Sequence, residues 1–414
     1  MLDIQEIRKH PQKVQENFNR RGAVYSVEKI LLLDKEKLAI QAALQELRHE
    51  KNLLSKQVAE RKKQGMGTES LITSIRTFGE KQESLEWALR LKTEQLQEIL
   101  EQLPNLLDED IGKTDQVLYQ WKERQHFAFP PENHMELCRR NRLVDYETAG
   151  RLMGGGYWIY RGAGARLEWA LLNFCLEANQ RAGYEMLMLP PVAKEACGFG
   201  AGQFPKFAHE VFRLQDRELF LIPTAETILV NLHRDQMLRE EELPLKYTAY
   251  TPCFRRETGK RADERGIIRG HQFNKVELVQ IVSEEQSEEA FGQILSQAET
   301  LMRQLGLHYR VVKLGAAECS YGMARTYDIQ VWLPAEQIYK EVSSVSNARA
   351  FQARRTNTRY KDGDGKIHFI HMVNGSGLAT SRLFAAIVEQ NQNQDGSIRI
   401  PEALVPWMGA DVLR

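Results

Sequence analysis

A long heptad pattern constrains the fold of the first hundred residues more than any other feature of the sequence. Apolar side chains recur at steps of three and four residues in two stretches, which are separated by Gly65-Met66-Gly67. A period of 3.5 residues kept over many turns is typical of a coiled coil. Because the two stretches are nearly equal in length, we expect an antiparallel helical hairpin. The heptad positions are Leu33, Lys37, Ile40, Leu44, Leu47, Lys51, Leu54 and Val58, then Leu71, Ile75, Phe78, Gln82, Leu85, Leu89, Lys92, Leu96, Ile99 and Leu103.

The predicted hairpin is too long to be buried in a core. At 1.5 Å per residue, the roughly 32 residues from Leu33 to the turn span about 48 Å, so the hairpin is expected to project. Basic side chains gather near its predicted tip, and two interpretations are open: an ordinary solvated helix surface, or a surface that contacts a phosphate backbone. The basic residues assigned to the tip are Lys56, Arg61, Lys62, Lys63 and Arg76.

Composition sets only broad limits. The 414 residues suggest two or more domains. The chain has 56 Lys and Arg against 56 Asp and Glu, so net charge does not announce a nucleic-acid partner. The five cysteines show no Cys-x-x-Cys pair, which favours a reducing cytoplasm and no zinc site. We expect neither a signal peptide nor a transmembrane segment.

Beyond the hairpin, the stretch from Thr251 to Val282 reads as two strands joined by a long loop. Strand side chains alternate between faces with period two. Arg255 and Glu257 are therefore expected on one face of the first strand, and Phe273, Lys275 and Glu277 on one face of the second. An Arg fork can hold a phosphate, a Phe can stack on a base, and a carboxylate can accept from its amine. The alternative is a solvated hairpin with cross-strand salt bridges.

Three further patterns carry polar groups that could bind a ligand. Thr224-Ala225-Glu226 follows a predicted strand, and it fits either a small polar ligand or a helix N-cap. Glu341 and Ser344 lie on a predicted strand, where a carboxylate beside phosphates would hold Mg²⁺. The segment from Asn374 to Arg382 reads as strand, Gly-Ser-Gly and helix, and its glycines are expected to let the backbone approach a ligand closely.

Together these residues resemble a known family. Phe254-Arg255-x-Glu257, Arg265-Gly266 and His271-Gln272-Phe273-x-Lys275-Val276-Glu277 closely resemble motif 2 of class II aminoacyl-tRNA synthetases, in the form found in bacterial-type seryl-tRNA synthetases. The resemblance covers essentially the whole chain. It implies an α+β fold, with an antiparallel sheet flanked by helices and preceded by a long antiparallel coiled-coil arm. It also implies three segments: an N-terminal tRNA-binding domain (1–103, with the arm at about 27–103), a linker (104–135) and a class II catalytic domain (136–414).

The resemblance also assigns site residues by matching position. Those implied to bind serine are Thr224, Ala225, Glu226, Glu277, Asn374 and Ser376. Those implied to bind ATP are Arg255, Arg256, Glu257, Arg269, Phe273, Glu341, Val342, Ser343, Ser344 and Arg382, with Mg²⁺ bound alongside ATP by Glu341 and Ser344.

The implied activity is ATP-dependent, AMP-forming attachment of L-serine to tRNA(Ser) through a seryl-adenylate, and to tRNA(Sec) where a cell has it. In the family the arm grips the long variable arm of the tRNA. A predicted helix, Gly183, a predicted strand and Pro190 resemble motif 1, which implies a homodimer.

The sequence departs from the family pattern at a few positions. Gln330 stands where the family has Glu, Ala350 stands where it has Asp, and the loop Thr258–Arg265 is one residue shorter. Two alternatives therefore stay open: a non-catalytic tRNA-binding protein derived from a synthetase, and a ligase that activates an amino acid for another acceptor, such as a carrier protein. The four retained residues Arg255, Glu257, Glu341 and Arg382 argue against the first, and the arm argues against the second.

Overall fold

Four helices form the first of two units in the computed structural model, which describes residues 1–257 and 266–414. This unit spans Leu2–Leu103. The predicted loop Thr258–Arg265 lies outside the described residues. No described helix has the length and apolar character needed to cross a membrane. The helices are α1 (Ile4–Lys9), α2 (Pro11–Arg20), α3 (Val27–Lys63) and α4 (Glu69–Glu101).

The predicted antiparallel hairpin is confirmed, since α3 and α4 pack along each other in opposite directions. Lys92 Nζ lies 2.7 Å from Glu36 Oε2 near the base, and Lys51 Nζ donates to Gln82 Oε1 at 3.1 Å farther out. Every predicted heptad position is buried or half-buried. Three of the four polar heptad residues, Lys51, Gln82 and Lys92, are tolerated because each finds a partner across the two helices, which avoids an unpaired polar group between them.

The base of the hairpin is fixed by one ion pair. Arg8 of α1 holds the buried Asp34 of α3 through two bonds, Nε to Oδ2 at 2.6 Å and Nη2 to Oδ1 at 2.7 Å. A two-point bond of this kind restricts orientation as well as distance. It therefore sets the angle at which α1 meets the long helix.

The basic residues assigned to the tip are exposed, as a contact surface requires. Arg61, Lys62 and Lys63 form the last turn of α3. Cations at that end of a helix also offset its dipole, so part of the basic character has a purely structural explanation. Lys56 lies more than a turn earlier in α3 and Arg76 lies in α4, where this explanation does not apply.

The second unit comprises Pro104–Arg414 together with Met1. Its helices are α5 (His134–Arg140), α6 (Tyr146–Met153), α7 (Ala163–Arg181), α8 (Glu195–Gly200), α9 (Glu226–Leu229), α10 (Ser287–Gln304), α11 (Phe351–Thr356), α12 (Thr380–Gln390) and α13 (Val405–Met408). Its strands are β1 (Gln116–Trp121), β2 (Val144–Asp145), β3 (Ile159–Tyr160), β4 (Glu185–Met188), β5 (Val192–Lys194), β6 (Phe212–Arg213), β7 (Leu219–Leu221), β8 (Met237–Arg239), β9 (Leu245–Phe254), β10 (Gln272–Val282), β11 (Tyr309–Lys313), β12 (Arg325–Leu333), β13 (Ile338–Arg349), β14 (Arg359–Lys361), β15 (Ile367–Phe369), β16 (His371–Ala379), β17 (Ile398–Arg399) and β18 (Val412–Leu413).

An eight-stranded sheet organises this unit, in the order β1-β11-β12-β13-β16-β10-β9-β4. All its pairs are antiparallel except β4 with β9. Helices α7, α10 and α12 pack against it. The α+β class with a mainly antiparallel sheet is therefore confirmed.

The expectation of a linker at residues 104–135 needs correction. Its middle part, β1, pairs with β11 and forms an edge of the main sheet. Earlier in the segment, Asp108 accepts a hydrogen bond from Arg349 Nη2 at 2.9 Å. Period-two alternation is weak in Gln116–Trp121, so no local pattern predicted a strand there.

Strand β10 shows how the sheet positions the site. Its even-numbered residues Val276, Leu278, Gln280 and Val282 are buried, and the apolar ones among them belong to the clusters formed with α7, α10 and α12. On the opposite face, Val279 and Ile281 are covered by another apolar cluster that includes residues of α9 and α11. The same face toward the start of the strand, at positions 273–277, borders a cavity. The period-two prediction for this strand is confirmed.

The first strand of the predicted pair ends earlier than expected. β9 stops at Phe254, so Arg255 and Glu257 do not lie on a strand. Arg255 still continues the pairing by one bond, from its N–H to the His271 carbonyl at 2.9 Å. Glu257 has a φ of +46°, a left-handed conformation that cannot extend a strand. Its position is therefore set by a turn.

Candidate active site

Most of the residues assigned from the sequence line a single cavity of about 590 Å³, on the part of the main sheet that the apolar clusters leave uncovered. The wall is formed by β10, β12, β13 and β16, the turn after β9, and the starts of α9 and α12. Twelve assigned residues border it: Thr224, Glu226, Arg255, Glu257, Arg269, Phe273, Glu277, Glu341, Ser344, Asn374, Ser376 and Arg382.

Four residues that the resemblance implied in substrate binding do not border the cavity, and their binding role stays a prediction. Ala225 is fully buried in an apolar cluster, and Arg256 is exposed with its N–H bonded to the Glu210 carbonyl at 3.0 Å. Val342 lies in the main core, and Ser343 donates to the Ser376 carbonyl at 2.6 Å.

A β-bulge explains the two strand residues among these four. Gln330 pairs with Glu341 while the preceding Ile329 pairs with Ser343, so Val342 is an extra residue in β13. The extra residue shifts the alternation by one. As a result Glu341 and Ser344, three apart, both border the cavity.

One end of the cavity holds a compact polar cluster. Thr224 Oγ1 donates to Glu277 Oε2 at 2.9 Å and accepts from the Glu226 N–H at 3.1 Å. The Thr224 hydroxyl therefore stabilises the start of α9 and also contacts a carboxylate that borders the cavity, while ligand binding by this triplet stays a prediction. Lys275 forms an ion pair with the same Glu277 oxygen. These carboxylates sit where an ammonium and a hydroxyl could both be bound.

Glu226 is held by amide donors that the sequence did not indicate. Gln352 Nε2 donates to Glu226 Oε1 at 2.7 Å, and Asn374 Nδ2 donates to the same oxygen at 3.1 Å. Burial and, after it, the neighbouring Glu277 raise the pKa of Glu226 to about 7, against the opposing effect of Lys275. A cation placed beside Glu226 would therefore favour its ionised form.

Cations and an aromatic ring occupy the other end. The Arg255 guanidinium carbon lies 5.1 Å from the centre of the Phe273 ring. Arg269 forms an ion pair with Glu257. Arg382 donates from Nε to the Ile268 carbonyl at 3.0 Å and from Nη1 to the Glu341 carbonyl at 2.9 Å. These contacts pre-position three guanidinium groups around one space, an arrangement suited to a polyphosphate.

Two acidic residues, Asp328 and Glu341, also border the cavity. Burial, followed by the charge of Glu341, raises the pKa of Asp328 well above its ordinary range. Asp328 Oδ1 is buried and has no hydrogen-bond partner among the described residues. Such an atom calls for an external partner. Within residues 1–257 and 266–414, no cluster of three or more His, Cys, Asp or Glu side chains could hold a metal by itself.

The glycines near Asn374 have a different role from the one expected. A Cβ at Gly375 would lie 2.6 Å from Cγ2 of Ile294 in α10, and one at Gly377 would lie 3.0 Å from Cδ1 of Leu278. At each of these glycines, the hydrogen in the place of Cβ therefore faces the helices that cover the sheet. The expectation that the two glycines let a ligand approach the backbone is wrong. Small residues at 375 and 377 let α10 and the neighbouring strand pack closely, while Ser376 between them borders the cavity.

The two departures from the family pattern differ in position. Gln330 borders the cavity and accepts from Arg310 Nε at 2.8 Å. Ala350 is nearly buried at the start of α11 and is not among the residues that line the cavity. Only Gln330 therefore changes the charge of the cavity wall directly.

Several cavity residues had no role assigned from the sequence. Period two places Lys275 between Phe273 and Glu277, and this spacing was the available signal. Asp328 sits two residues before Gln330 in β12 and could have been found the same way. Gln352 comes from a helix far along the chain, and no local pattern connects it to Glu226.

Comparisons with known proteins agree along the whole chain. Residues 1–107 match the family model described as the seryl-tRNA synthetase N-terminal domain, and residues 208–391 match the tRNA synthetase class II core domain (G, H, P, S and T). The chain is 45% identical to Serine--tRNA ligase 2 of Clostridium acetobutylicum and 41% identical to Serine--tRNA ligase of Thermodesulfovibrio yellowstonii, with 100% of both chains covered in each case. The crystal structure of seryl-tRNA synthetase from Pyrococcus horikoshii complexed with ATP superposes with a TM-score of 0.96 at 29% identity, covering 100% of this chain and 99% of that one.

The raised pKa of Glu226 predicts a pH-dependent stability difference. A carboxyl with a folded pKa of about 7 and an ordinary value of 4.5 destabilises the fold increasingly as pH rises between these values. Glu226→Gln should therefore gain free energy of unfolding relative to the parent protein from pH 5 to about pH 7, by at most about 3 kcal/mol, and level off above. Urea unfolding at several pH values measures it. A difference that does not change with pH would contradict the assigned environment of Glu226.

Proposed function

The chain belongs to the seryl-tRNA synthetase family, and from that premise we propose how its cavity activates serine and which surfaces serve tRNA and dimerisation. It is an ATP-using serine–tRNA ligase of class II. Attachment to tRNA(Sec) stays a prediction.

One observation supports the site proposal above the others. The polar cluster around Glu277 and the ring of Phe273 lie on the same strand face, four residues apart, in one cavity. At about 3.3 Å per residue, their Cα atoms are roughly 13 Å apart. That span suits an amino acid and an adenosine phosphate held side by side.

We assign the Glu277 end to serine. Glu226, held by Gln352 and Asn374 through one oxygen, has its other oxygen to offer the serine ammonium. Glu277 and Thr224 are paired with each other and can rearrange to bond the serine hydroxyl. A pocket built this way loses bonds when alanine enters, which can give about 10⁴-fold discrimination.

We assign the opposite end to ATP. Phe273 would stack on adenine, and Glu257 would accept from its amine. Arg255 beside the ring would bind the α-phosphate, and Arg382, fixed by two carbonyls, the γ-phosphate. Arg269 would add charge between them. Each group is already oriented by protein contacts, so little reorganisation is needed on binding.

The acidic residues fit a Mg²⁺ ion that comes with the nucleotide. Glu341 and Ser344 border the cavity, and the unpartnered oxygen of Asp328 lies buried in the same wall. Mg²⁺ commonly binds through one or two carboxylates plus phosphate oxygens, so a full protein cage is not needed. Mg²⁺ bound here would offset the charge of the polyphosphate.

In the proposed reaction, the serine carboxylate attacks the α-phosphorus in line and pyrophosphate leaves. The chain supplies no covalent nucleophile. Its residues bind the two substrates at fixed positions and stabilise the charge that develops. The terminal ribose hydroxyl of tRNA then takes the seryl group from the adenylate and AMP is released.

We propose that residues 1–103 bind tRNA and that the remainder is catalytic. Support comes from the exposed basic residues on the last turns of α3 and the second turn of α4, at the far end of a hairpin about 55 Å long. Contacts of this type recognise the shape and backbone of RNA rather than its bases.

We propose a homodimer that forms through the edge strand β4 and helix α7. β4 ends the main sheet, and an unpaired edge favours pairing with another chain. Apolar side chains are exposed beside it, with Met188 98%, Met186 46% and Trp169 58% accessible. An exposed apolar group of this kind marks an interaction surface. A cytoplasmic location is proposed on the absence of any disulfide among the five cysteines.

The pocket assignment predicts the effect of one substitution. Glu277→Ala should lower serine-dependent ATP–pyrophosphate exchange by about 100-fold or more, with ATP binding retained because Glu277 lies at the other end. Exchange kinetics and ATP titration test this. Glu289→Ala, which removes an exposed carboxylate of α10, is the control. Normal exchange in Glu277→Ala would refute the pocket.

The arm assignment predicts that tRNA use and serine activation separate. Alanine at positions 56, 61, 62, 63 and 76 should raise the KM for tRNA about tenfold or more and weaken its salt dependence. Exchange without tRNA, measured on the same variant, should stay unchanged and is the internal control. An unchanged KM for tRNA would rule out the proposed surface.

The dimer assignment predicts that one exposed methionine matters for assembly. Met188→Glu should place a charge at the centre of the apolar group and shift sedimentation from dimer to monomer. Val24→Glu, at a fully exposed apolar residue of the other unit, is the control and should sediment like the parent protein. A dimeric Met188→Glu variant would contradict this interface.

A further inference from the structure

Lys275 has no assigned role, although it occupies a central place in the cavity. It lies on β10 two residues after Phe273 and two before Glu277, and all three side chains border the cavity. Its side chain is only 9% exposed. Its position is therefore determined by the strand rather than by solvent.

The proposed positions of the two substrates suggest a role for Lys275, and this inference rests on the proposed function. If adenine lies at Phe273 and the serine side chain at Glu277, Lys275 faces the space between them. Residues two apart on a strand are separated by about 7 Å. The serine carboxylate must approach the α-phosphorus within that space.

The two anionic groups that meet in this space require a second cation besides Arg255. A bound serine brings a carboxylate, and ATP brings the α-phosphate. Arg255 is engaged over Phe273 and is assigned to the phosphate. Lys275 is the further cation on this strand face, and it also offsets Glu277 while the pocket is empty.

We propose that Lys275 is a catalytic residue that binds the carboxylate of serine and stabilises the charge developing on the α-phosphoryl group. Serine binding gives Glu277 a new partner in the substrate hydroxyl, and the Lys275 ammonium turns to the carboxylate. A carboxylate oxygen then forms the bond to phosphorus, and the bond to the pyrophosphate oxygen breaks. Lys275 transfers no proton and contributes only its charge and position.

A purely structural role makes a different prediction. Lys275 could serve only to neutralise the buried Glu277, since a buried charge without a partner is strongly destabilising. In that case a neutral hydrogen-bond donor would replace it adequately. Lys275→Gln and Lys275→Arg separate the two roles, because Gln can bond Glu277 without charge and Arg keeps the charge.

The experiment measures serine-dependent ATP–pyrophosphate exchange and thermal stability for the parent protein and both variants. We expect Lys275→Gln to lower kcat by about 100-fold or more and Lys275→Arg to stay within about tenfold of the parent. Lys246→Gln makes the same change on the adjacent strand β9, at a lysine that bonds Gln293 and does not border this cavity. It should leave kcat unchanged.

A ligand comparison tests the carboxylate contact directly. Ethanolamine keeps the ammonium and hydroxyl of serine but has no carboxylate. In the parent protein it should inhibit with an affinity at least tenfold weaker than serine, and in Lys275→Gln this ratio should fall toward one. The ratio cancels any general effect of the substitution on the ammonium site.

The outcomes distinguish the two proposals. If the parent protein shows no serine-dependent exchange, the proposed function fails. If it does, the Lys275 role is overturned by a kcat within about threefold of the parent in Lys275→Gln, or by an unchanged ratio of serine to ethanolamine affinity. Should both variants unfold, equal affinities of the parent protein for serine and ethanolamine would overturn it.

Discussion

The cost of burying two carboxylates side by side is the constraint on which the rest of this site depends. Glu277 is almost inaccessible to water and Glu226 is half-buried, and each raises the free energy of the other's charge. The fold meets that cost with partners from separate elements: an amide from α11, an amide from β16, a hydroxyl at the start of α9 and an ammonium from β10. The pocket exists only when these elements have assembled around the sheet.

This constraint also explains how the site can select its substrate. The hydrogen-bond and ion-pair partners of Glu226 and Glu277 stabilise these carboxylates enough for the protein to fold. They also leave bonding capacity free for a ligand. A small molecule with an ammonium and a hydroxyl completes the set of partners, whereas one without the hydroxyl leaves a buried group unpaired. At the nucleotide end the charged groups are cationic instead of anionic, and the guanidinium groups of Arg255 and Arg382 are placed to bind phosphates. The strand β10 carries both ends, so binding and alignment of the two substrates follow from one backbone.

Elements defined by local periodicity could be predicted from the sequence, and elements defined by long-range contacts could not. Heptads located the hairpin, and period two placed Phe273, Lys275 and Glu277 on one face. The bulge at Val342 has no sequence signature. Because of it, Glu341 and Ser344 border the same cavity although they are three residues apart. Gly375 was expected to serve a ligand, whereas its small size is needed by Ile294 on the other side of the sheet. Gln352 joins Glu226 across 126 positions, a contact that no short window contains.

The amino acid that the cavity activates is the most direct evidence for the role of Glu226 and Glu277. ATP–pyrophosphate exchange, measured without tRNA for serine, threonine, alanine and glycine, addresses this most directly. Exchange with serine, at a kcat/KM about 10⁴-fold above that for alanine and with weaker rejection of threonine, is the predicted result. Absence of exchange with all four, in a folded protein that still binds ATP, would contradict it and point to the neutral Gln330 in the cavity wall as the place where activity was lost.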